Sequence, residues 1–139
     1  MKSAVYPGSF NPWHQGHDDV LAKALGAFEH VTVVQMDNPL KNEAKTPLPL
    51  DVIYKVYGNR VSCLSFHGML TDYVKQFEPC AVIRGLRNGQ DFEFEKTQQY
   101  WNEDLGIRCP FVYFISDRSL VHVSSSAIRM VDQLKRAYE

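Results

Sequence analysis

The chain has 139 residues, enough for one domain that buries its own core without disulfides or metals. With 15 basic against 16 acidic residues the net charge is −1 and no basic block occurs, so nucleic acid is not an expected partner. Hydrophobic residues at 45 % argue against disorder, and no apolar run reaches the length of a membrane span or of a signal-peptide core. The expectation is a cytoplasmic protein with no membrane partner. Cys63, Cys80 and Cys109 are odd in number and lack zinc spacing, which predicts buried free thiols in a reducing compartment and no metal site.

In chain order, a short apolar run predicts a strand over 3–6. The turn Gly8-Ser9-Phe10-Asn11-Pro12-Trp13-His14-Gln15-Gly16-His17 follows, and Val20, Leu21, Ala24, Leu25 and Phe28 recur at helical spacing, predicting a helix over 17–28. Two histidines around a glycine therefore sit where a strand gives way to a helix. Free N–H groups and the positive end of the helix dipole converge there, and such a spot binds phosphate. A single histidine in a turn is ordinarily a solvated polar residue; the pair with its intervening glycine is a sharper signal.

Further strands are predicted over 31–36, 61–66, 80–83 and 111–115, and helices over 50–57, 69–77, 90–105 and 125–137. Residues 38–49, with three prolines and two lysines, read as a loop at the edge of the site. The repeated strand–helix order predicts a single domain over residues 1–139. Its fold is a Rossmann-like, doubly wound, five-stranded parallel sheet with helices on both faces. Ligands in such sheets bind beyond the carboxyl ends of the strands, where both the histidine turn and Arg84-Gly85-Leu86-Arg87 fall. Two arginines leaving a buried strand suit phosphate through their planar forks. An ion pair with Asp91, Glu93 or Glu95 is the competing reading.

His14-Gln15-Gly16-His17 resembles the His-x-Gly-His signature of the nucleotidylyltransferase superfamily. The string from Arg84 to Glu95, Arg-Gly-Leu-Arg followed by Asp-Phe-Glu-Phe-Glu, resembles the phosphopantetheine adenylyltransferases. So do the opening Tyr6-Pro7-Gly8-Ser9-Phe10 and the stretch Val123-Ser124-Ser125-Ser126. The resemblance implies adenylyl transfer from ATP to 4′-phosphopantetheine, giving dephospho-coenzyme A and pyrophosphate, with Mg2+ bridging the ATP phosphates. It further implies that His17 hydrogen-bonds the α-phosphate, that Ser9 meets the phosphates of both substrates, and that Lys41 neutralises the transferring phosphate. Arg84 would face the acceptor, with Met69 and Leu70 along its arm. Phe10, Gly85, Leu86, Arg87 and Glu95 would face ATP, and Leu120, Val121, His122, Val123, Ser124, Ser125 and Ser126 would wrap it.

The chain also departs from that pattern. His14 stands where the family usually has Thr, and Asn11 where it has Asp. Gly-Ser-Phe-Asn-Pro-x-His-x-Gly-His is similar to the mononucleotide adenylyltransferases, as is Ser124-Ser125-Ser126-Ala127-Ile128-Arg129. Trp13 could stack on the flat ring of such an acceptor. The family's hexamer implies a homo-oligomer, although the chain stops at Glu139, before the family's C-terminal helix. A cytidylyltransferase and a nucleotide-binding relative without catalysis are the remaining alternatives.

Overall fold

The computed structural model describes residues 3–37, 45–117 and 125–138, with backbone alone for 125–127. Five strands, β1 (Ala4–Gly8), β2 (Val31–Met36), β3 (Val61–Phe66), β4 (Val82–Leu86) and β5 (Phe111–Ile115), form one parallel sheet in the order β3-β2-β1-β4-β5. The helices are α1 (Gln15–Ala27), α2 (Leu50–Tyr57), α3 (Leu70–Phe77), α4 (Gly89–Asp104) and α5 (Ser125–Tyr138). The expected doubly wound architecture is therefore present. The chain winds outward through β2 and β3, returns, and winds the other way through β4 and β5. Right-handed crossovers then place α1 and α2 on one face and α3 and α4 on the other.

Alternation along each strand sorts the core accordingly. Ala4, Tyr6, Val31, Val33, Val61 and Ile83 point to one face and pack with Val20, Leu21, Ala24 and Leu25 of α1 and Ile53 of α2. Val5, Val34 and Val82 point to the other, against Leu70, Tyr73 and Val74 of α3. A polar link seats α4 on that second face: the Tyr113 hydroxyl donates to Gln99 at 2.8 Å.

Three elements shift by two residues or more from expectation, each for a local reason. β1 runs through Pro7 to Gly8, because Pro7 and Gly8 pair with Val34 and Gln35 of β2 and the proline has no N–H to lose. β4 starts and ends later than residues 80–83 and includes Arg84, Gly85 and Leu86, which pair with Tyr113, Phe114 and Ile115. α1 begins at Gln15, before His17, because an imidazole caps it. The cysteines are free, as expected, but all three are half-buried rather than buried.

The centre of the sheet positions the site. β1 and β4 share a single register pair, Val5 with Val82, and are tied at their amino ends by Cys80 N–H to Ser3 O and Val5 N–H to Ala81 O. Towards their carboxyl ends they diverge. This is the switch point of the strand order, where doubly wound sheets take their ligands.

Candidate active site

The turn leaving β1 is built on aromatic packing. Phe10 holds a left-handed backbone (φ 45°), which costs a non-glycine residue roughly 1–2 kcal/mol. Its ring is buried edge-on against Tyr6, Trp13 and His17 at 5.0, 5.0 and 4.9 Å. Gly8 is required beneath that ring: a Cβ there would lie 2.8 Å from Phe10 Cε1 and Cζ. Trp13, proposed above as a platform for a flat acceptor, packs its ring on Tyr6, Phe10 and His17 and so helps to build the turn.

His14 is the N-cap of α1. Its Nδ1 accepts the Gly16 N–H at 3.0 Å, and its own N–H donates to His17 Nδ1 at 3.2 Å. The two rings stack with centroids 3.7 Å apart. Gly16 is bare because the capping ring lies over it: a Cβ would fall 2.9 Å from His14 Cε1.

This arrangement fixes the tautomers. An Nδ1 that accepts a hydrogen bond carries no proton, so in each neutral ring the proton is on Nε2. The His17 pKa is pushed down to about 3, first by burial and then by His14 and Arg87. Burial and Arg87 also lower that of His14. Near neutrality the turn therefore presents two uncharged N–H donors at the N-terminus of a helix, a fitting cradle for a phosphate group.

Arg84 and Arg87 each make an ion pair, the competing reading weighed from sequence. The Arg84 Nε and Nη2 clasp Glu95 Oε2 and Oε1 at 2.9 and 2.8 Å, and Nη1 donates to the Pro7 carbonyl at 3.1 Å. Glu95, expected towards ATP, is instead buried at 8 % exposure and holds Arg84 of β4 from helix α4. Arg87 is exposed and pairs with Asp91 through Nε at 3.0 Å, while its backbone N–H donates to the same carboxylate at 2.9 Å. Burial alone would raise the Asp91 carboxyl, but Arg87 outweighs it and holds the pKa below the ordinary value. The influence of Arg87 on both imidazoles places its charge close to the histidine turn.

The other expected residues scatter. Ser9 is exposed at the end of β1. Leu86 is buried, its carbonyl taken by the Ser116 N–H at 2.9 Å, and Phe10 is buried, so neither offers its side chain to a nucleotide. A Cβ on Gly85 would meet Val20 Cγ2 at 2.8 Å, so the close approach of α1 to β4 is what requires glycine there. Leu70 packs in the core, whereas Met69, just before α3, is 57 % exposed. Lys41 and Leu120, Val121, His122, Val123 and Ser124 lie outside the described residues, as do the side chains of Ser125 and Ser126.

Sequence reasoning passed over two supporting groups. Gln35, buried in an otherwise largely apolar strand, donates to the Ser9 carbonyl at 3.0 Å and the Thr46 carbonyl at 2.8 Å. A lone amide in Val-Thr-Val-Val-Gln-Met was the available signal. Lys23 of α1 joins Asp19 and Asp117 and donates to the Ile115 carbonyl, fixing the end of β5. Among the described residues no cluster of His, Cys, Asp or Glu could hold a metal ion, and no helix is long and apolar enough to cross a membrane.

A parallel sheet open at its switch point, with a His-x-Gly-His turn on one side and arginines on the other, defines a nucleotidylyltransferase. A family model described as Cytidylyltransferase-like matches residues 5–131. The phosphopantetheine adenylyltransferase of Syntrophomonas wolfei is 36 % identical over 135 residues, covering 93 % of this chain and 82 % of that one. That of Mycoplasma capricolum is 33 % identical over 143 residues, covering 98 % and 100 %. This chain belongs to the phosphopantetheine adenylyltransferase family. The fold is also that of a lipopolysaccharide core biosynthesis protein from Thermoplasma volcanium (TM-score 0.60, 19 % identity, 84 % of this chain and 98 % of that one).

Proposed function

We propose that the protein transfers the adenylyl group of ATP to 4′-phosphopantetheine, releasing pyrophosphate and giving dephospho-coenzyme A. A phosphate oxygen of the acceptor forms a bond to the α-phosphorus while the bond from that phosphorus to the bridging oxygen of pyrophosphate breaks. No group on the protein is modified, so positioning and charge stabilisation must lower the barrier.

The observation that carries this reading is the pair of neutral imidazoles with Nε2 protons at the start of α1. A fixed donor aimed at charge that grows in the transition state costs no reorganisation when the reaction occurs. His17 takes that role, Ser9 meets the phosphates, and Lys41 supports the transferring group. Arg87 draws the triphosphate, with the residues from Leu120 to Ser126 around the nucleotide. Arg84, held by Glu95, presents its remaining N–H groups to the acceptor phosphate, and Met69 flanks the arm of the acceptor. Magnesium belongs with ATP as part of the substrate. Asp91 and Glu95 are committed to the arginines and form no carboxylate site for it. The family's cytoplasmic location and homo-oligomeric assembly are proposed on the same footing.

One side-by-side assay tests the reading, with ATP and magnesium and either 4′-phosphopantetheine or nicotinamide mononucleotide at equal concentration. Dephospho-coenzyme A forms with the first acceptor and little dinucleotide with the second. Dinucleotide formation alone would overturn the choice of acceptor. His17→Ala, run in parallel, lowers turnover by about 10²–10³-fold with ATP binding largely kept, as for the loss of one transition-state donor.

A further inference from the structure

We infer that Gln35, a residue with no part in the chemistry, is a positioning residue that sets the placement of the phosphate-binding turn. The inference rests on the function proposed above. Gln35 lies on the central side of the sheet, level with Gly8, and is 4 % exposed. One amide nitrogen donates to two carbonyl oxygens, those of Ser9 and Thr46. The orientation of the amide is settled by chemistry, since its oxygen could not face two carbonyls. Thr46 in turn donates its N–H to Asn11 Oδ1 at 2.9 Å. The backbone of Thr46 is therefore held on both sides, by Gln35 and by Asn11.

These bonds close a loop. Strand β2 holds Ser9 and Thr46 through one side chain, and Thr46 holds Asn11. The first and third residues of the turn are thereby referenced to the rigid centre of the sheet. Between them stands Phe10 in its left-handed conformation, whose ring supports His17. Removing the amide protons would free the Ser9 carbonyl and the Thr46 strap together. The turn would then shift relative to the arginines of β4, and a misplacement of about 1 Å is enough to cost roughly 10²-fold in rate.

Gln35→Met keeps the length of the side chain and cannot donate. Two readouts follow from it. At a temperature well below its melting midpoint, and per folded molecule, its kcat with ATP and 4′-phosphopantetheine falls at least tenfold while KM for ATP changes less than threefold. In amide hydrogen exchange without substrate, Thr46 is protected in the wild type and loses that protection in the variant. Gln35→Glu supplies a rescue: burial against two carbonyl oxygens raises its carboxyl pKa from about 4.3 towards neutrality; ionised, it cannot donate, but protonated it donates one bond, so its deficit in kcat relative to wild type shrinks as pH falls from 8 to 6. A folded Gln35→Met with wild-type kcat, or with a Thr46 amide as protected as in the wild type, overturns the inference. So does a Gln35→Glu deficit that does not change with pH. A wild type inactive with these substrates would instead overturn the proposed function, and the exchange of Thr46 would still decide the role of Gln35.

Discussion

At the scale of single residues, Arg84 and Arg87 look alike in sequence and differ in surroundings. Arg84→Ala strands the buried Glu95 carboxylate, and breaking such a pair costs about 3 kcal/mol. Arg87→Ala removes an exposed pair between the residue before the α4 cap and the first turn of α4, worth less than about 1 kcal/mol. Thermal melts should therefore separate them, with a clear drop for Arg84→Ala and almost none for Arg87→Ala. In kinetics, Arg84→Ala raises the KM of the acceptor and Arg87→Ala weakens ATP. Equal melting temperatures for the two variants would contradict the burial difference. Lysine at position 84 restores little, since a point charge cannot clasp both carboxylate oxygens while reaching the Pro7 carbonyl.

At the scale of elements, the start of α1 couples a helix cap to the chemistry proposed for His17. Gly16→Ala brings a Cβ to 2.9 Å from the His14 ring and displaces it from the cap, a loss of about 1 kcal/mol. Alanine inside a helix regains roughly the same amount over glycine. The variant should thus melt within a few degrees of the wild type yet lose at least tenfold in turnover, because His14 stacks on His17. Retained turnover would detach the cap from catalysis. How much of this was legible in the sequence follows from which signals are local. Strands 31–36, 61–66 and 111–115 and helix 50–57 agree with the structure to the residue, because apolar period and flanking turn residues define them. The imidazole cap was not legible, since the usual signal for a helix start is Ser, Thr, Asp or Asn. Nor was the burial of Glu95. Its ion pair with an arginine was among the sequence readings, but as one of several acids on one helix it carried no signal of burial. The ties from Gln35 and Lys23 likewise depend on partners far along the chain.

At the scale of the whole molecule, the buried neutral imidazoles link stability to pH. The folded state holds the His17 pKa at about 3, whereas in the unfolded chain it lies near 6.5. Below 6.5 the unfolded state takes up a proton that the folded state refuses, so stability falls with acidification by up to about 1.4 kcal/mol per pH unit. His14 adds to this in the same direction, and Asp91 extends the loss to lower pH. Melting temperatures should begin to decline near pH 6.5, and the decline should flatten in His17→Asn. A wild-type midpoint constant between pH 7 and 5 would refute the linkage.

The central strands also have a mechanical consequence. β1 and β4 are bonded at their amino ends and part towards their carboxyl ends, so the sheet is a wedge whose mouth is the site. The histidine turn belongs to one jaw and the two arginines to the other, with Arg84 to the Pro7 carbonyl as a rung between them. In the binding mode proposed above, a triphosphate gripped from both jaws would be a strap across the mouth, and a ligand held at 100 times its Kd adds about 2.7 kcal/mol to the folded state. That gain would fall where the backbone offers no ladder of its own, so substrate bound in the proposed way would stiffen the protein along the line at which the sheet is least closed.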